Sequence, residues 1–80
     1  MMRIASDTYE VKRRFVSKTL SRCVAELWPN VRCLEYHLHD NGDEVAIIRL
    51  ADNTTRRVDV TGLDLQDCVQ AILARLEEVA

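Results

Sequence analysis

His37 and His39 lie two residues apart in Glu35-Tyr36-His37-Leu38-His39, and in an extended segment both imidazoles would share a face with Cys33 and Glu35. Neutral imidazoles are good zinc ligands, so this pair is the first constellation to weigh. A site needs a third or fourth ligand. The best candidate, Asp59, falls two strands from His37 across Val45, at roughly 10 Å by ordinary strand spacing, which is too far for ready sharing. The expectation is no metal and no cofactor, with both histidines facing solvent.

Arg14, Lys18 and Arg22 are spaced i, i+4, i+8, and on a helix they project from one line, with Lys12 and Arg13 nearby. Such a stripe can track phosphates. Phe15 sits at its edge, and an apolar ring flanked by Arg and Lys suits a protein partner as well. Catalysis finds no support. No serine or cysteine has a base at motif spacing, and the two glycines form no phosphate-cradling loop. Asp40, Asp43 and Glu44 crowd a turn, where solvation explains them. The chain reads as no enzyme, without a small-molecule substrate.

These groups must be positioned by 80 residues, enough for one domain. A content of 48% apolar and 30% charged residues, with 2 Gly and 1 Pro, excludes collagen-like and disordered classes. No uninterrupted apolar run is longer than the stretch Val45 to Ile48, against the ~20 residues a membrane span needs. Met1-Met2-Arg3-Ile4-Ala5 lacks the apolar core of a signal peptide, so a cytoplasmic protein is expected. Cys23, Cys33 and Cys68 form an odd set with no CxxC spacing and read as reduced, mostly buried thiols. The formal charge of -2 conceals a split: residues 1–34 are net basic, residues 35–80 net acidic.

The periodicity predicts a helix from about Thr8 to Leu27, capped at Asp7 or Ser6, with Tyr9, Val16, Leu20, Cys23, Val24 and Leu27 on its apolar stripe. Trp28 before Pro29 must be extended, which ends it. Three strands follow, at about Val31–His39, Glu44–Leu50 and Thr54–Val60. Asp40-Asn41-Gly42 and Ala51-Asp52-Asn53 are read as three-residue loops closed by a left-handed Gly42 and Asn53. A two-residue loop at Asn41-Gly42 would leave Ile48 and Leu50 on the other face from the strand-one apolar set. The three-residue loop instead puts Leu34, Tyr36 and Leu38 on one face with Ala46, Ile48, Leu50, Val58 and Val60. A final helix from about Leu65 to Val79 is capped by Asp64, with Leu65, Cys68, Val69, Ile72, Leu76 and Val79 on its stripe.

The expected fold is α+β in α-β-β-β-α order, a three-stranded antiparallel meander with both helices on one face. That order is shared with the double-stranded RNA-binding domain, which grips phosphates with lysines at the start of its second helix. Here the matching segment, Gly62-Leu63-Asp64-Leu65-Gln66-Asp67, has no basic residue and two carboxylates, so the resemblance stops at topology. The stretch Leu50-Ala51-Asp52-Asn53-Thr54, then Arg56-Arg57-Val58-Asp59-Val60 and Thr61-Gly62 before an acid-capped helix, resembles small uncharacterised proteins of bacterial mobile elements and phages, in which a glycine stands where this chain has Asn53. That resemblance covers the second half of the chain and implies a short accessory protein; it carries no functional residues.

The other sheet face is left uncovered. The register places Glu35, Ile47 and Arg57 in one row and His37, Val45 and Asp59 in the next, with Arg49 beyond, an apolar middle inside a polar rim. The partner-binding set expected is therefore Glu35, His37, Val45, Ile47, Arg49 and Arg57, with Phe15 as a further contact, for a protein partner or a homodimer. Strand one offers a second route, by edge pairing with its counterpart. The alternative is a nucleic-acid-associated protein using Arg14, Lys18 and Arg22.

Overall fold

Two three-residue loops organise residues 8–79, the part of the chain described by a computed structural model. In the first, the His39 N–H donates to the Asp43 carbonyl at 2.8 Å and the Gly42 N–H to the His39 carbonyl at 3.0 Å. The second repeats the pattern, Leu50 N–H to Thr54 at 2.9 Å and Asn53 N–H to Leu50 at 3.0 Å. Gly42 (φ 96) and Asn53 (φ 72) both occupy the left-handed region that such loops require. Side chains lock each bend: Asn41 Oδ1 accepts from the Asp43 N–H and Asp52 Oδ1 from the Thr54 N–H, both at 3.0 Å.

The loops join β1 (Val31–Leu38), β2 (Glu44–Leu50) and β3 (Thr55–Asp59) into an antiparallel meander of order β1-β2-β3. The register is the expected one, with Glu35 opposite Ile47 and Ile47 opposite Arg57, and His37, Val45 and Asp59 in the adjacent row. Pairing shifts between Val31 and Cys33, where Arg32 is an extra residue. This bulge lets Val31 and Leu34 both turn inward while Arg32 stays exposed.

The first helix is one rod of three parts: α1 (Tyr9–Arg14), a π-helical stretch Phe15–Leu20, and α2 (Ser21–Leu27). Thr8 is its N-cap, its hydroxyl accepting from the Val11 N–H at 3.4 Å. The caps expected at Ser6 and Asp7 lie outside the described residues. Ser17 Oγ donates to the Arg13 carbonyl at 2.6 Å, the acceptor its own N–H would use in an α-helix, and the Ser21 N–H reaches Val16 instead. The wider turn rotates everything after it. Ser21 and Val24 therefore face the sheet, whereas Cys23 and Leu27, expected on the apolar stripe, are exposed, Leu27 by 72%. Trp28 is extended (φ -119, ψ 100) before Pro29, and the chain turns into β1.

Gly62, in the left-handed region at φ 78, leads into α3 (Leu65–Val79), whose Asp64 cap accepts from the Asp67 N–H at 2.8 Å. One core cluster joins Val16, Leu20 and Val24 of the rod and Cys68, Ile72 and Leu76 of α3 to Leu34, Tyr36, Ala46 and Ile48 of the sheet. Both helical elements thus cover the same sheet face. Leu38 shares that face by register but is 48% exposed, because the rod begins at Tyr9, which packs on Tyr36 with ring centroids 5.7 Å apart, and no described helix lies over the next row. Of the three cysteines only Cys68 is buried; Cys23 is exposed and Cys33 half-buried, all as free thiols.

The helix phase is testable by thermal melts. Leu27→Ser should change stability by less than about 0.5 kcal/mol, and Leu20→Ala should cost about 2–5 kcal/mol. Ser21→Ala should cost about 1–3 kcal/mol by stranding a buried N–H. Equal losses at Leu27 and Leu20 would restore the regular helical phase.

Candidate interaction surface

With the helices on one side, no element among the described residues covers the other face of the sheet, and its side chains line a shallow depression of about 520 Å³. Ile47, on the central strand, is the half-buried apolar floor. Around it stand Glu35, His37 and His39 from β1, Arg49 from β2, and Thr55 and Arg57 from β3. Val45 was expected beside Ile47 as a contact residue, but it is only 7% exposed and lies outside the core cluster. Its directly opposed neighbours, His37 and Asp59, stand within the short cross-strand distance that shades a small side chain on a central strand.

The rim is electrostatically organised. Glu35 accepts from Arg49 through both carboxylate oxygens, the Nη2 contact being 3.3 Å, and its Oε1 lies 2.9 Å from His37 Nε2. Hydrogen bonds from Arg49 first, then from His37, hold the Glu35 carboxyl below its ordinary range. Arg57 carries no ion pair among the described residues. Asp59 accepts from the Thr61 hydroxyl at 2.8 Å and the Thr61 N–H at 3.1 Å, which depress its pKa and commit it to the end of β3. Among the described residues no group of three or more His, Cys, Asp or Glu is arranged to hold a metal ion.

Phe15 is not brought to this face. It belongs to the helical layer, packed against the core, and lines a separate groove of about 560 Å³ with Leu65 and Val69 of α3. Arg14, Lys18 and Arg22 are all exposed on the rod and carry no ion pair among the described residues. The β1 edge is partly closed: Leu34, whose N–H points away from β2 by register, donates it to the buried Ser21 hydroxyl at 2.9 Å. No helix among the described residues is long and apolar enough to cross a membrane.

Behind the open face lies a cluster that residue spacing did not single out. Lys12 is 4% exposed, with its ammonium 2.7 Å from Glu44 Oε1 and donating to the Leu63 carbonyl at 3.0 Å. Tyr36 donates its hydroxyl to the same Glu44 oxygen. Burial alone would raise the Glu44 pKa, but the hydrogen bonds from Lys12 and Tyr36 outweigh it and hold the carboxyl below its ordinary range. Burial, with the Glu44 bond, pushes the Tyr36 phenol far up, and burial likewise raises the Cys68 thiol. Neither is therefore an activated nucleophile or base at neutral pH. The signal was present: Lys12, Val16 and Leu20 are spaced by four, so Lys12 belonged to the apolar line and not to the basic stripe.

Compared with known proteins, the chain matches no family model, no curated relative and no solved structure.

Lys12→Met should cost about 3 kcal/mol by leaving the Glu44 carboxylate without its counter-charge, and Lys12→Met/Glu44→Gln, which keeps an acceptor for Tyr36, should recover part of it. Because the folded-state pKa of Glu44 is depressed, its contribution is present above the unfolded carboxyl value and lost as pH falls through the lower folded one. Melting temperature should therefore fall as pH is lowered through the ordinary carboxyl range and below it, and Glu44→Gln should flatten that slope. An unchanged slope would mean other carboxylates carry the acid sensitivity.

Proposed function

We propose that this protein is a small cytoplasmic accessory module that acts by binding a protein, its own copy included, through the open sheet face, and that it performs no chemistry. One observation carries the reading: both helical layers cover the same side of a three-stranded sheet, leaving Ile47 as an apolar centre inside a rim of Glu35, His37, Arg49 and Arg57. An apolar middle with a polar, hydrogen-bonded border is the anatomy of a small interface. The half-buried Ile47 contacts no described helix layer by register, so an added charge there leaves the core untouched.

Ile47→Lys should retain the wild-type circular dichroism spectrum and melt while losing self-association in light scattering and losing any partner retained by the wild type on a column. A variant that keeps both properties would remove the open face as the binding surface.

A second reading rests on the exposed Arg14, Lys18 and Arg22, which form a line of cations on the rod without ion pairs among the described residues. Three phosphate contacts on duplex DNA give a slope of about -2.7 in log affinity against log salt, roughly a 40-fold loss between about 50 and about 200 mM. Fluorescence anisotropy with a labelled duplex measures it. Binding with that slope, abolished by replacing all three with Glu, would favour this reading over the first; salt-independent or absent binding removes it.

A further inference from the structure

We infer that the occupant of the open face is a second copy of this chain, docked face to face about a two-fold axis that runs parallel to the strands over Ile47. The inference rests on the reading of that face as an interaction surface and adds the identity and geometry of its partner.

The argument is the order of charges across the sheet. The row through Ile47 runs Glu35, Ile47, Arg57, negative to apolar to positive, and the adjacent row runs His37, Val45, Asp59. A two-fold axis parallel to the strands exchanges the two flanks of the sheet and keeps each row at its own height. Ile47 then meets the partner's Ile47, Glu35 meets the partner's Arg57, and His37 meets the partner's Asp59. The competing face-to-face arrangement, with the axis perpendicular to the strands, sets Glu35 on the partner's Glu35 and Arg57 on the partner's Arg57. Like charges directly opposed cost affinity, so the charge order selects the parallel axis. Packed sheets lie about 10 Å apart, a gap that facing Glu and Arg side chains can bridge. The Arg49 guanidinium stays engaged by its own Glu35, so its approach to the partner's Arg49 is partly neutralised.

The face is also small. Three strands about 4.8 Å apart and about six residues long present roughly 14 by 20 Å, well under the ~800 Å² per partner of stable complexes. The association is accordingly of the weak, transient class, to be sought at high protein concentration. The β1 edge is the poorer route, because the Leu34 N–H is already taken by Ser21.

Charge reversal tests it. In Glu35→Arg both members of the facing pair become positive, and in Arg57→Glu both become negative. Each variant alone should associate at least tenfold more weakly than wild type in sedimentation equilibrium across about 10 μM to about 1 mM. Mixed one to one, the two variants should form a heterodimer that recovers most of the wild-type affinity, since both position-35/position-57 facing pairs are then opposite in sign. Arg57→Glu breaks no intramolecular ion pair among the described residues, so it keeps the test valid if Glu35→Arg melts. Wild type that stays monomeric throughout, single reversals that associate as well as wild type, or a mixture that stays monomeric would each overturn the inference. Monomeric wild type whose retained protein partner is lost in Ile47→Lys would overturn only the second copy and leave the interaction face standing.

Discussion

Glu44 is the point where every layer of this protein meets. Its carboxylate holds the ammonium of Lys12 from α1 and the hydroxyl of Tyr36 from β1. Its backbone N–H donates to the Thr61 hydroxyl at 2.8 Å, and its carbonyl accepts from the Val60 N–H at 3.0 Å, tying in the exit of β3. Through Lys12 the cluster also reaches the Leu63 carbonyl, in the link to α3. A charge that is nearly buried tolerates few geometries, because displacement leaves an unpaired ion in a poorly solvated place. The pair therefore restricts how the rod, the hairpin and the last helix can sit relative to one another, which apolar contacts alone do loosely.

The rod meets that constraint at one end and the β1 edge at the other. Lys12 must face Glu44 and Ser21 must face Leu34, nine residues apart along the helix. A regular α-helix has a turn of 3.6 residues and would carry position 21 away from the line through positions 12, 16 and 20. The π-helical stretch between them widens the turn and brings the Ser21 hydroxyl onto the exposed N–H of the edge strand. Cys23 and Leu27 are left facing outward as a result.

The same arrangement sorts the polar groups by their access to solvent. Its groups with shifted pKa values are either buried or half-buried behind the sheet, as with Tyr36, Cys68 and Glu44, or hydrogen-bonded on an open surface, as with Glu35 and Asp59. A general acid or base needs both access and a pKa near the working pH, and these groups separate the two. What remains presented is a shallow face with one apolar residue at its centre and an ordered sequence of charges around it.

Much of this was legible from residue order. Gly42 and Asn53 dictate the three-residue loops because each must enter the left-handed region, and the loops in turn dictate which residues face each other across the sheet. The Asp64 cap and the Trp28-Pro29 stop are local in the same way, decided within a few residues of themselves. The spacing of Lys12 with Val16 and Leu20 put it on the apolar line, but its partners were not legible: a lysine beside Arg13 and Arg14 is ordinarily solvated, and only Glu44 and Tyr36, distant in sequence, make the inward position favourable. The widened turn, the outward Leu27 and the shaded Val45 are likewise products of neighbours brought together by folding. Local backbone preference determined the elements and their register; pairing between residues far apart in the chain decided which side chains those elements bury.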